Sequence, residues 1–294
     1  MSKFQKKLNI IANSTNSYLK SFFSKQLHHS NLLSPMKYGI FSGGKRFRSA
    51  IVFNTGKIFG VDNRKLIIIS AAIECVHSYS LIHDDLPSMD NDDLRRGKLS
   101  VHKKYNEFTA ILAGSSLLTF AFEILSGKDL KLSQNFKNEL VKTLAICAGH
   151  SGLAGGQYFD LTFEKKKISK KNIISMQKKK TGELFGFCCE SVAIIKGMSS
   201  KKRKKLKKIG TNIGLLFQIV DDLIDYTGES KIAGKPTRRD KKKGKATLLN
   251  LLGYEETINF VENLKRKINE EIRTYGLNAK DLLDSVEFIL KRKF

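Results

Sequence analysis

Proline is scarce in this chain: three in 294 residues, none inside a long stretch of helical apolar spacing. Little therefore prevents most of the chain from being helical. Short alternating segments and Asn-Gly pairs are also missing, which argues against a β architecture built on hairpins. Cysteine is rare too. Cys75, Cys147, Cys188 and Cys189 contain no CxxC pairing, and the adjacent Cys188 and Cys189 make a poor disulfide. They read as reduced thiols of a cytoplasmic protein. No apolar run reaches the roughly 18 uninterrupted residues of a membrane-spanning helix. The best, Leu66 to Val76, already carries Glu74. The polar, basic N-terminus has no apolar stretch behind it, so neither a signal peptide nor stable membrane insertion is expected.

Acidic residues are outnumbered, 28 against 53 basic, for a net charge of +25. Such an excess can drive nucleic-acid binding through phosphate neutralisation. Only 11 of the basic residues are Arg, however, and the lysines are scattered. Runs such as Lys201–Lys208 and Lys241–Lys243 read as solvated faces and loops, so no nucleic-acid partner is expected.

What the chain does contain is helical periodicity and an ordinary 41% of hydrophobic residues. Ile68, Ala71, Ala72, Cys75 and Val76 follow helical spacing, as do Leu216, Ile219, Val220, Leu223 and Ile224. Breakers cluster at Ser34–Gly44, Pro87–Gly97, Gly149–Gly156 and Thr227–Gly244, which are expected to be loops. No linker divides the chain, and the pattern predicts one all-α domain over residues 1–294. Lys231–Lys245 reads as a surface loop.

Two aspartate clusters stand out. Asp84, Asp85, Asp90, Asp92 and Asp93 place five carboxylates within ten residues, followed by Arg95, Arg96 and Gly97. Carboxylates so crowded repel one another unless cations neutralise them. Hard oxygen donors of this kind suit Mg²⁺. On a straight helix Asp84 and Asp90 point about 120° apart. They can share a metal only if the helix distorts, and Pro87 sits between them. An exposed acidic loop would explain this cluster alone.

The second cluster, Asp221, Asp222 and Asp225, is embedded in apolar sequence, with Gln218 one turn earlier. Carboxylates in such a setting need a strong partner. A core salt bridge is one answer. Two clusters 137 residues apart, each after an apolar helix, read better as opposite walls of one metal site.

Nearby cations say what the metal would hold. Gly43-Gly44-Lys45-Arg46-Phe47-Arg48 combines flexible backbone with three cations suited to diphosphate oxygens. Arg95 and Arg96 follow the first cluster, and His77 returns to nearly the face of Asp84. Lys180-Thr181-Gly182 offers a cation and a hydroxyl at an expected helix bend. Lys235 and Lys245 lie after the second cluster. A Walker-type phosphate loop is absent.

These motifs resemble the trans-polyprenyl diphosphate synthases, most closely the bacterial farnesyl diphosphate synthases (geranyltranstransferases). The resemblance rests on GGKRFR at 43–48, DDxxxxD with trailing Arg-Arg at 84–96, GGQxxD at 155–160, KTG at 180–182 and QxxDDxxD at 218–225. It runs from about Tyr38 to Thr247 and implies a helical bundle around a deep central cavity, acting as a homodimer. It also implies three Mg²⁺ ions, held by Asp84, Asp90 and Asp221 with support from Asp85, Asp222 and Asp225. Lys45, Arg48, His77 and Arg96 match positions that hold isopentenyl diphosphate. Arg95, Lys180, Thr181, Gln218, Lys235 and Lys245 match those holding the allylic partner, dimethylallyl or geranyl diphosphate. Among these, Arg95, Lys180, Thr181 and Gln218 carry the catalytic roles.

The implied reaction ionises the allylic diphosphate, joins it to isopentenyl diphosphate and eliminates a proton, giving farnesyl diphosphate. Tyr79, five residues before Asp84, is bulky enough to floor the cavity under a growing chain. Geranylgeranyl or another short-chain product is the alternative. A terpene cyclase fits less well, since it has no use for a second anion pocket. The family usually has an aromatic and often a proline after its last lysine motif, and Gly244–Leu249 has neither.

Overall fold

The computed structural model describes residues 2–26, 31–227 and 244–292. Helices dominate, as the low proline content predicts. The chain clusters into two compact units, one of Met1–Phe53 and Val61–Val141, the other of Asn54–Gly60 and Lys142–Phe294.

The first unit opens with α1 (Lys3–Ser24), capped by the Ser2 hydroxyl accepting from the Gln5 N–H at 3.2 Å. It continues through α2 (Leu33–Ile40) and the start of α3 (Phe47–Ile58) to its central helix, α4 (Asn63–Asp84). Asp62 caps α4 by accepting from the Arg64 and Lys65 N–H groups. Ile68, Ile69, Ala71, Ala72, Ile73 and Val76 are all buried. A helix apolar on nearly every side belongs at the centre of a bundle, and α4 packs against α1, α2 and α6. Beyond α4 lie a two-strand hairpin (Leu94–Arg95 and Lys98–Leu99), α5 (Val101–Lys104), α6 (Glu107–Ser126) and α7 (Gln134–Ala148).

Two sequence expectations change here. Ser34–Gly44 is helical as far as Ile40, because Pro35 falls in the first turn of α2, where no intrahelical N–H is needed. By length and composition alone, α4 and α6 are also apolar enough to cross a membrane. The most apolar stretch of α4 is 67% buried in the protein, that of α6 only 39%. α6 turns Ala110, Ala113 and Leu117 inward and leaves Phe108, Ile111 and Leu112 exposed.

The second unit holds α8 (Leu153–Thr162), α9 (Lys170–Gln177), a π-helical turn (Lys178–Gly182), α10 (Glu183–Ile195) and the long α11 (Ser200–Thr227). After residues 228–243, outside the described set, come α12 (Leu248–Leu252), α13 (Tyr254–Arg273), a 3₁₀ turn (Leu277–Ala279) and α14 (Lys280–Leu290). α10 and α11 pack along their length around Phe185, Val192, Leu206 and Ile213. The basic start of α11 is laced to its neighbours, Lys207 to Glu183 at 2.9 Å and Lys208 to Glu271 at 2.7 Å.

Candidate active site

The first aspartate motif is a helix stop. Pro87 disfavours helical backbone at Leu86, so α4 ends at Asp84 and the chain turns back. The Asp90 N–H then donates to the Asp84 carbonyl at 2.8 Å, and the Asp92 N–H to the Asp85 carbonyl at 3.1 Å. Asn91 sits at φ 49°, a conformation Asn tolerates well. The gap between Asp84 and Asp90 is thus closed by a turn after the helix, not by a distortion within it. Asp85 and Asp92 are buried, and Arg95 serves both: its Nε donates to Asp85 at 2.9 Å and its Nη2 lies 3.5 Å from Asp92. Asp84 and Asp90 stay half-buried. Arg95, expected to hold substrate, here braces the acidic turn.

The hairpin that follows aims Arg96. Its two-residue turn, Arg96-Gly97, has φ 55° and 74°, the left-handed pair a tight hairpin demands. The Arg96 guanidinium donates to the Gly43 carbonyl and lies flat on the loop. Gly44 holds φ 108°, a conformation that favours glycine, and its missing side chain leaves room for the Arg96 Cζ, which a Cβ there would meet at 2.6 Å. Arg96 Nη2 and Arg48 Nη1 both approach His77 Nε2, at 3.5 and 3.2 Å. Guanidinium groups only donate, so His77 Nε2 accepts and its proton sits on Nδ1. Burial, then Arg48 and Arg96, hold the imidazole's pKa well below its usual value. Burial, opposed by Glu74 and reinforced by Arg46, Arg95 and Arg48, lowers Arg96 to about 10, still charged at neutral pH. Cations around a neutral imidazole can receive a dense anion such as a diphosphate.

The GGKRFR motif carries three cations suited to a diphosphate, of which the resemblance assigns Lys45 and Arg48 as ligands. The structure separates them. Lys45 is exposed and Arg48 faces His77, but Arg46 is buried against Glu74. Tyr79 is half-buried on α4 with its ring edge-on to His83, centroids 4.9 Å apart.

In the second unit the expected bend at Lys180-Thr181-Gly182 is the π-helical turn, a distortion frequent at functional sites. Helix α8 seats directly on it, because a Cβ at Gly156 would lie 2.1 Å from the Lys180 backbone nitrogen. That contact brings Asp160 beneath two ammonium groups. Its Oδ2 accepts from Lys180 at 2.7 Å and from Lys245 at 2.8 Å, and Lys245 also reaches Glu164 at 3.0 Å. Burial would push the Asp160 carboxyl up, but the two lysines outweigh it and hold it below the usual range.

Beside this cluster runs a fixed chain of donors. Thr181 Oγ1 donates to Gln218 Oε1 at 2.7 Å, and Gln218 Nε2 donates to Asp222 Oδ1 at 2.8 Å. Gln177 Nε2 donates to the other oxygen of Asp222 at 2.8 Å. Asp222 and Asp225 are buried, whereas the Asp221 side chain is 41% exposed and meets Arg292 at 2.8 Å. Lys235 lies outside the described residues. Asp160, Gln177 and Arg292 had no assigned role in the sequence reading. Asp160 stood within the GGQxxD motif, but nothing local revealed that two distant lysines converge on it.

Among the described residues, no three His, Cys, Asp or Glu side chains gather closely enough to hold a metal unaided. Magnesium does not require such a cage. It takes one or two carboxylates and completes its shell with water and phosphate oxygens. Half-buried aspartates beside cationic pockets suit a metal–diphosphate complex.

Known proteins resemble this chain in sequence and in fold. A farnesyl diphosphate synthase of Escherichia coli is 35% identical, over 98% of this chain and 99% of its own. A solved FPP/GFPP synthase from Zymomonas mobilis superposes with TM-score 0.85 at 36% identity, covering 97% of this chain and 99% of that one. A geranyltransferase from Helicobacter pylori, solved with magnesium and isoprenyl diphosphate, gives TM-score 0.83 at 31% identity, covering 99% of both chains. The polyprenyl synthetase family matches residues 29–277, and with that span and these likenesses the chain belongs to the polyprenyl synthetase family.

Proposed function

We infer that this protein is a short-chain trans-prenyltransferase that condenses isopentenyl diphosphate with dimethylallyl or geranyl diphosphate to give farnesyl diphosphate. The observation that carries this reading is the coexistence of two separate cationic receptors, each beside an aspartate motif. One is Arg48, His77 and Arg96, with Lys45 just before α3. The other is Lys180 and Lys245 over Asp160. An enzyme that joins two diphosphates needs two anion pockets; a terpene cyclase needs one.

In this reading Lys45, Arg48, His77 and Arg96 grip isopentenyl diphosphate, whose diphosphate is kept. Lys180 and Lys245 take the allylic diphosphate, whose diphosphate leaves, and Arg95 and Lys235, the latter outside the described residues, are assigned to the same group. Asp84, Asp90 and Asp221, backed by Asp85, Asp222 and Asp225, would hold three magnesium ions. Bound there, magnesium would neutralise the charge that gathers on the departing diphosphate. The allylic C–O bond breaks with its electron pair going to that diphosphate. Preorganised ammonium groups stabilise the charge without reorganising.

Thr181 and Gln218 present oxygen dipoles held in place by their own hydrogen bonds, suited to the allylic cation. The isopentenyl double bond then attacks, and the released pyrophosphate takes the proton lost from the new chain. Tyr79 would floor the chain cavity and fix the product at fifteen carbons. Both units act together as one synthase domain in a cytoplasmic protein. The exposed apolar face of α6 (Phe108, Ile111, Leu112) fits burial against a second copy, making a homodimer.

The test is to supply isopentenyl diphosphate, dimethylallyl diphosphate and Mg²⁺, then identify the products by chain length. A C15 diphosphate as main product is expected. Cyclised hydrocarbon, or no condensation, would refute the reading.

A further inference from the structure

The three cations of residues 45–48 part company at Arg46. Its side chain turns inward, the residue as a whole is 4% exposed, and every guanidinium nitrogen is engaged. Nε donates to Asn16 Oδ1 at 3.0 Å, Nη1 to Glu74 Oε2 at 3.2 Å, and Nη2 to the Ile40 carbonyl. The second oxygen of Glu74 accepts from the Ser49 hydroxyl at 2.8 Å. Both side chains of the Arg46–Glu74 pair are only 2% exposed. Arg46 itself holds φ 49°, a left-handed conformation unfavourable to a residue with a side chain.

Stability alone explains this arrangement poorly. A buried ion pair contributes little beyond what an apolar pair of like volume would, because both charges must be stripped of water. Its position is more telling. Glu74 lies in the middle of α4, and its carboxylate grips the residue just before α3 and another in the first turn of α3. One turn further along α4 is His77, which accepts from Arg48. Two successive turns of one helix therefore hold alternate residues at the start of α3. Glu74 takes Arg46, and His77 takes Arg48.

We propose that Glu74 and Arg46 are positioning residues of the isopentenyl diphosphate pocket: their buried pair fixes the start of α3 so that Lys45 and Arg48 present their charge to the ligand. Arg46 thus supplies no charge to the ligand. The inference rests on the reading of this pocket given under Proposed function.

The experiment uses two variants of the full-length protein, Glu74→Gln and the double substitution Arg46→Met with Glu74→Leu. Calorimetric binding of isopentenyl diphosphate, steady-state KM for each substrate, kcat and Tm are measured for both. The double variant removes both charges but leaves Ser49 Oγ and the Ile40 carbonyl without this partner, so a moderate fall in Tm with retained folding is expected. Its affinity for isopentenyl diphosphate should nevertheless fall about tenfold, with KM for that substrate rising in step. KM for geranyl diphosphate should stay within about twofold.

A folded double variant with unchanged isopentenyl diphosphate affinity would overturn the proposal and leave the pair a fold-holding contact. If the double variant does not fold, Glu74→Gln decides, with the same split between substrates expected. Equal loss for both substrates, or no loss, overturns the proposal. If the parent protein binds no isopentenyl diphosphate at all, the functional reading falls and this inference with it. Parent binding with unaltered variants removes only the inference.

Discussion

The N–H of Asp90 donates to the carbonyl of Asp84 across a tight turn, at 2.8 Å. Two carboxylates six residues apart are thereby fixed to each other through the backbone, while Asp85 and Asp92 turn inward to Arg95. The motif is built so that one pair of acids is structural and the other stays half-buried.

Asp84→Ala should therefore leave the fold intact, because the turn is held by the backbone and by Asp85. Turnover should fall by about a thousandfold or more if the carboxylate anchors the catalytic metal. Circular dichroism with a condensation assay checks both parts. Near-normal activity would remove Asp84 from the metal site.

Asp160 is a buried carboxylate of the second unit shared by two ammonium groups. Asp160→Asn keeps its shape but leaves two ammonium groups without their shared counter-charge. Denaturant unfolding should show a loss of about 3–5 kcal/mol, the range for breaking a buried ion pair. The sign with pH also follows. The folded pKa of Asp160 is depressed, so its contribution to stability is present above the ordinary carboxylate range and lost as pH falls through the folded value. The parent should accordingly lose more stability on acidification than Asp160→Asn does, and parallel curves would contradict the assignment.

His77 should be silent where histidines normally titrate. Its folded pKa lies well below the usual value, lowered by burial and by Arg48 and Arg96. As pH falls below about 6.5 the unfolded chain takes up this proton and the folded protein does not, so stability declines from there until the folded value is reached. In the ligand-free protein its ring NMR signals should stay flat from pH 8 to about 6. A midpoint near 6.5 would show that the guanidinium groups do not surround it.

Much of this was legible in the sequence because the motifs are local. GGKRFR, the two aspartate clusters and KTG each concentrate their chemistry within a few residues, and helical periodicity gave the all-α class. What could not be read were partnerships across long separations. Lys245 and Asp160 are 85 residues apart, and Arg46 and Glu74 are 28 apart. Composition made Arg46 one of three cations suited to a diphosphate, and only burial shows that its charge is already matched. Pro87 was correctly seen as a disruptor, but whether it would bend the helix or end it depended on the turn beyond. In α2, Pro35 looked like a breaker because the helix start was not visible in the sequence.

Tyr79→Ala tests the cavity floor. Removing the ring should shift part of the product from C15 to C20 or longer, read by chromatography of the dephosphorylated alcohols. An unchanged distribution would leave Tyr79 as a packing partner of His83.

The proposed function assigns Asp84 and Asp221 to one and the same metal-bound diphosphate. A double-mutant cycle measures it directly: binding of inorganic pyrophosphate in saturating Mg²⁺ by the parent, Asp84→Asn, Asp221→Asn and the pair together. The losses are expected not to add, with a coupling above about 1 kcal/mol. Losses that add within about 0.5 kcal/mol would mean that the two aspartates act independently, and would refute the shared assignment.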